Sequence, residues 1–185
     1  AYAKRVKEAV TGRGLFALVE PGRFIAGAAG ALIGRVLDVE RGPARTFATP
    51  FARKVACYYG CYLVRPKQVV NFDRVEDPQS MDEILKKIGA KPIDWPHKVE
   101  CCGAGLSVSR TDLVAKLSGK IVEAAMKRGA EAIVTVCPMC HTNLDMRRDW
   151  IEKVAGKRYS IPVLYLTQAI GLALGLDEQT LGLQR

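Results

Sequence analysis

The sequence predicts an α/β fold, a Rossmann-like parallel sheet with flanking helices, preceded by a mainly helical N-terminal arm. Three observations predict it. From Lys54 onward, short apolar runs alternate with amphipathic stretches. The clearest of these runs, AIVTVC at 132–137, is β-branched and continuous, as a strand buried on both faces must be. Strands that alternate with helices require right-handed crossovers, and those make the strands parallel.

Each element has its own reason. Residues 54–59 (KVACYY) read as the first strand. Ser80 and Glu83 form an S-x-x-E capping box that opens a helix ending at Gly89. Residues 98–101 (KVEC) read as a short strand. Thr111 caps the next helix, which sets Val114, Leu117, Ile121 and Ala125 on one face before Gly129 stops it. After the strand at 132–137, Pro138 suits a first helical turn, and that helix runs roughly to Val154. A fourth strand at 162–166 and a final helix at 167–174 complete the pattern. The division expected is an arm over residues 1–53 and a domain over 54–185.

The arm differs from the rest in charge. Residues 1–54 carry ten Lys/Arg against four Asp/Glu, a balance of +6 out of the chain's +9. Scattered basic residues without a nucleic-acid motif argue against nucleic acid and for an acidic partner. The apolar run at 24–33 is about half the ~20 residues a spanning helix needs, so no membrane span is expected. Gly27, Gly30 and Gly34 would let another helix approach it closely. The chain opens on Ala1, consistent with processing or with a longer parent chain. Six cysteines without a secretory signal point to a reducing compartment, the cytoplasm by default.

Five of the cysteines share one placement. Cys61, Cys101–Cys102 and Cys137-x-x-Cys140 each fall after an expected strand. Ligands collect at the carboxyl ends of the strands in open α/β sheets, so three distant segments converge on one edge. C-x-x-C at a helix start keeps two thiols at chelating separation and favours their thiolates. Adjacent side chains on a strand point apart, so Cys101 and Cys102 reach one site only where the backbone turns. Gly103 and Gly105 supply that turn, and their N–H groups suit a negatively charged sulfur site. Cys57 lies inside the first strand and reads as a small buried hydrophobe. His141, beside the last cysteine, is a candidate proton donor to a departing thiolate or a packing residue. Arg110, Arg147 and Arg148 read as solvated helix residues. Four thiolates complete a cubane cluster or a zinc site, so a fifth favours an unusual cluster; structural zinc with one spare thiol is the alternative.

The motifs Tyr59-Gly60-Cys61, Val99-Glu100-Cys101-Cys102-Gly103-Ala104-Gly105 and Val136-Cys137-Pro138-Met139-Cys140-His141 resemble the CCG family, found in the CCG-bearing subunit of heterodisulfide reductase. The closing segment, residues 162–168 (PVLYLTQ), is similar too. The resemblance covers about residues 54–176 and is closest to that subunit's C-terminal CCG module. It implies a noncubane [4Fe–4S] cluster on Cys61, Cys101, Cys102, Cys137 and Cys140. It also implies an oxidoreductase that reduces a mixed disulfide or acts on a related sulfur substrate. Implied partners are a ferredoxin-type iron–sulfur subunit and a flavoprotein subunit of one complex. The family's reaction uses two facing clusters, whereas this sequence holds one CCG set. Another subunit or a missing first module must then supply the second, or the reaction differs. An electron-relay subunit and a zinc-stabilised assembly subunit are the alternatives from other classes.

Overall fold

The computed structural model describes residues 50–70 and 73–183. The expected arm therefore lies, up to residue 49, outside the described residues, as does the apolar run at 24–33. Strands β1 (Lys54–Tyr58), β2 (Lys91–Pro92), β3 (Ala132–Thr135) and β4 (Val163–Tyr165) form one sheet in the order β2-β1-β3-β4. All three pairings are parallel, with Val55 opposite Ala132 and Ile133 opposite Val163. The fold class read from the sequence is the one observed.

The helices cover both faces. Alternation along β1 sends Val55, Cys57 and Tyr59 to one face and Ala56 and Tyr58 to the other. On the first face lie α2 (Ser80–Lys87) and α6 (Leu166–Ala173), through Leu85 and Ala169. On the second lie α3 (Thr111–Lys127) and α5 (Arg148–Ala155), through Ile121, Val122 and Ile151. Two small helices, α1 (Lys67–Val70) and α4 (Pro138–His141), fill out the connections. In α3, Gly119 allows α5 to come close, since a Cβ there would sit 3.2 Å from Ile151 Cγ2. Burial of an Ile or Leu in such a layer contributes about 1.5–3 kcal/mol each. That is how four short strands hold a sheet.

The details differ from the sequence reading in four places. Residues 98–101 form a turn, not a strand, and the sheet edge is taken by β2 instead. The Lys98 carbonyl accepts the N–H groups of Tyr59 (2.8 Å) and Gly60 (3.0 Å). The start of α2 has no capping box. Asp73 reaches across to take the Gln79 N–H, the Ser80 N–H and the Ser80 hydroxyl. Tyr59 Oη takes the next two, from Met81 and Asp82, and donates to Asp82 Oδ2 at 2.7 Å. A tertiary carboxylate and phenol thus replace the local cap. Likewise, α3 has Arg110 at its N-cap and begins at Thr111, and Leu117 remains partly exposed on the otherwise buried face. Finally, the helix expected from Pro138 to about Val154 is broken. After α4 comes a π-helical turn, Thr142–Met146, and α5 starts afresh at Arg148.

Candidate functional site

The carboxyl ends of β1 and β3 open onto one hollow, and the chain reverses sharply at each entry to it. Beyond β1, Gly60 adopts φ +69°, with its N–H held by the Lys98 carbonyl, and Cys61 follows in a turn. Glu100 sets the next entry. Its carbonyl accepts the Tyr58 hydroxyl at 2.7 Å, and its carboxylate is gripped by His97 (2.7 Å) and Lys120 (3.3 Å). Cys101 and Cys102 come next, and Gly103 at φ +88° turns the chain back. A Cβ on Gly103 would crowd Val114 and Leu117 at 3.2 Å, so α3 packs against this turn. Beyond β3, Cys137 stands extended at the N-cap of α4, Pro138 begins the helix, and Cys140 points inward.

These turns gather the sulfurs. Cys102 Sγ lies 3.7 Å from Cys140 Sγ. The electrostatics also link Cys140 with Cys137, and Cys61 with Cys101 and Cys102. Tyr58, fully buried, forms the floor, with Cys140, Cys102, Cys101 and Cys61 all within electrostatic reach of its hydroxyl. All five cysteines singled out from the sequence therefore meet, although Cys101 and Cys102 arrive on a turn rather than a strand end. Cys102 and Cys140 are buried, Cys61 and Cys137 half-buried and Cys101 exposed, so the hollow opens on the Cys101 side. All six cysteines are free thiols.

The thiols are not equivalent. Hydrogen bonding from Cys140 lowers Cys137 to about 6, helped by the backbone N–H groups of Cys140 and Met139. The same donor lowers Cys102 to about 7, against its burial, with help from Asn143 and the Ala104 N–H. Cys140, serving both neighbours, is itself raised. Burial, then the bond with Cys101, pushes Cys61 up to about 11. Binding a metal to all of them would release protons, since thiolate is the ligating form.

Backbone support is partly as expected. The Gly103 N–H donates to Cys101 Sγ at 3.3 Å, but the second donor is Ala104, onto Cys102. Gly105 stands in open space, where a Cβ would meet nothing within 4 Å. Cys57 sits on the other face of the sheet beside Asp82, its thiol pushed up first by burial. His141 stacks on Tyr165 (centroids 4.2 Å apart, planes at 9°), with Nε2 3.2 Å from the Val163 carbonyl. Of the three arginines, Arg110 is exposed and paired with Asp112. Arg147 donates to the Ser107 carbonyl at 3.0 Å and lies over Trp150. Arg148 is buried rather than solvated, and donates to the Ile161 carbonyl.

Three contributors carried no assigned role in the sequence. Gly60 lies inside the motif that holds Cys61, and Tyr58 stands just before it. Asn143 is fully buried in the π turn, and its Nδ2 lies 3.4 Å from Cys102 Sγ. The signal for it was its i, i+3 spacing from Cys140, which puts both on one helical face. Among the described residues, no three His, Cys, Asp or Glu side chains form a site for a single metal ion. The donors present are all thiols, with N–H groups aimed at their sulfurs. Thiolates of this kind can hold an iron–sulfur cluster or zinc.

Residues 55–145, from β1 to the π turn, match the family of the CCG cysteine-rich domain. Over 139 residues the chain is 37% identical to a subunit of the Ferredoxin:CoB-CoM heterodisulfide reductase of Methanosarcina mazei, covering 74% of this chain and 46% of that one. It is 36% identical over 151 residues to a subunit of the Ferredoxin/F(420)H(2)-dependent CoB-CoM heterodisulfide reductase of Methanosarcina acetivorans, covering 79% and 50%. It is 35% identical over 130 residues to the 8-methylmenaquinol:fumarate reductase membrane anchor subunit of Wolinella succinogenes, covering 70% and 46%. The chain thus spans about half the length of the curated relatives it matches.

Proposed function

The chain carries a cysteine-rich domain of the CCG family, and from that premise we propose that it is an iron–sulfur redox subunit with a noncubane [4Fe–4S] cluster on Cys61, Cys101, Cys102, Cys137 and Cys140. One observation carries the reading: five thiols from three distant segments meet in one hollow, with Cys102 and Cys140 sulfurs 3.7 Å apart. A fifth thiolate exceeds what a cubane or a zinc ion uses.

Such a cluster supplies one-electron transfer at iron close to a surface that a sulfur compound can approach. The protein's own part follows from the geometry. Tyr58 closes the floor, and the exposed Cys101 side is where a disulfide or other sulfur substrate enters. N–H groups of Gly103, Ala104 and Asn143 offset negative charge on the sulfurs. We assign His141 to packing, because its ring is held flat on Tyr165 and tied to the Val163 carbonyl. The activity we favour is heterodisulfide reduction or related sulfur redox within a complex, supported by the two reductase subunits above. Partners would be a ferredoxin-type subunit and a flavoprotein, with residues 1–53 as a docking arm and 54–185 as the cluster domain. The fumarate reductase relative favours a second reading, an electron relay. No helix among the described residues is long and apolar enough to cross a membrane. Free thiols suit a reducing compartment such as the cytoplasm.

Anaerobically prepared protein should contain about four irons and about four acid-labile sulfides per chain. Stoichiometric zinc without labile sulfide would overturn the assignment. Disulfide-dependent oxidation of a reduced viologen separates a catalyst from a relay.

A further inference from the structure

Among the described residues, Asn143 is a fully buried side-chain amide whose N–H is aimed at a sulfur of the site. Its Nδ2 donates to Cys102 Sγ at 3.4 Å, while its Oδ1 accepts the Ser107 hydroxyl at 3.3 Å. The two contacts are mutually consistent: with the hydroxyl on Oδ1, the amide turns its N–H to the sulfur. Ser107 is held in turn, since Arg147 Nη1 donates to its carbonyl at 3.0 Å. Asn143 also lies within the π-helical turn Thr142–Met146, a widened turn of a kind found often at functional sites. A buried apolar residue at this position would fill the same space without placing a dipole on the sulfur. The polar choice, clamped from behind, is a device aimed at Cys102.

We propose that Asn143 is a positioning residue that sets the reduction potential of the cluster, acting through Cys102. The inference rests on the cluster assignment above. An N–H bond to a ligand sulfur stabilises the more negatively charged, reduced state, and hydrogen bonds to sulfur are one of the protein's means of setting the potential. Removing the bond should therefore lower the potential, and Asp at the same position, an acceptor with negative charge, should lower it further.

The test uses the cluster-loaded full chain, with iron and labile sulfide measured for each variant. One-electron midpoint potentials come from dye-mediated titration followed by electron paramagnetic resonance. Expected are wild-type cluster content and potentials that fall in the order wild type, Asn143→Leu, Asn143→Asp. Ser107→Ala leaves Asn143 in place but unclamped, and should shift the potential the same way by less. It also decides the matter where Asn143→Leu fails to fold. Fully loaded variants with an unchanged or raised potential would overturn this inference alone. Wild-type protein without iron and labile sulfide would defeat the cluster assignment on which it rests.

Discussion

The backbone of Gly60 passes so close to Cys140 that a Cβ there would stand 2.9 Å from the Cys140 sulfur. Gly60 also holds φ +69°, where side chains are strained. Gly60→Ala should therefore displace Cys140 as well as cost stability, about 1–2 kcal/mol from the backbone alone. Iron content after anaerobic reconstitution should drop, and the denaturant midpoint should fall. Full iron loading in this variant would show that the contact does not constrain the site.

Serine at any one of Cys61, Cys101, Cys102, Cys137 or Cys140 should remove or convert the cluster. Cys57→Ala should keep it, because Cys57 faces Asp82 across the sheet from the site. Its cost should be about 1–2 kcal/mol, for a small buried side chain. Loss of the iron absorbance in Cys57→Ala, with protein still folded, would mean that the ligand set is misassigned.

Lys98 and Asp82 form a buried pair at 3.0 Å, with Asp77 as a second acceptor at 3.3 Å. Lys98→Met should cost about 3–5 kcal/mol, because it strands a buried carboxylate. Burial opposes the charge on Lys98, but the hydrogen bonds and charges of Asp82 and Asp77 prevail and raise its pKa. A raised folded-state pKa means that this stabilisation is full below the unfolded value, about 10.4. It is lost as pH rises through the folded value. The gap in thermal midpoint between wild type and Lys98→Met should hold steady from about pH 6 to about pH 9 and narrow above about pH 11. A gap undiminished in that alkaline range would contradict the assignment.

Deleting residues 1–45 should leave the cluster spectrum intact and weaken assembly with a partner subunit, since residues 1–54 hold most of the surplus positive charge. Wild-type assembly should weaken as salt rises, because exposed charges are screened over about 8–10 Å near physiological ionic strength. A truncated chain with undiminished affinity and salt dependence would reject a docking role.

What the sequence revealed was what local pattern determines. The run at 132–137 is apolar but for the buried Thr135 because β3 lies inside the sheet, and Pro138 starts a helix because its missing N–H is not needed there. Cys61, Cys137 and Cys140 were legible because topology brings the ends of parallel strands β1 and β3 together, whereas Cys101 and Cys102 join them on a turn. The rest depended on partners far away in the chain. Residues 98–101 resemble a strand, yet β2 takes the edge and the Lys98 carbonyl is drawn to Tyr59 and Gly60. Ser80 and Glu83 resemble a capping box, yet Asp73 offers a better acceptor. Asn143 depends on a π turn, which nothing in the local composition signals.

The two-residue period of β1 also keeps the Cys57 thiol out of the hollow. Cys57 and Tyr58 differ by one position and so look into opposite layers. A single inserted residue just before Cys57, with the upstream pairing kept, would exchange their surroundings. A sixth sulfur would then enter the hollow, and the phenol floor would be lost to the Asp82 side. Whether Cys57 stays outside the proposed ligand set is thus a matter of strand parity. An insertion in β1 should be read out as a change in cofactor type, even where every cysteine survives in the gene.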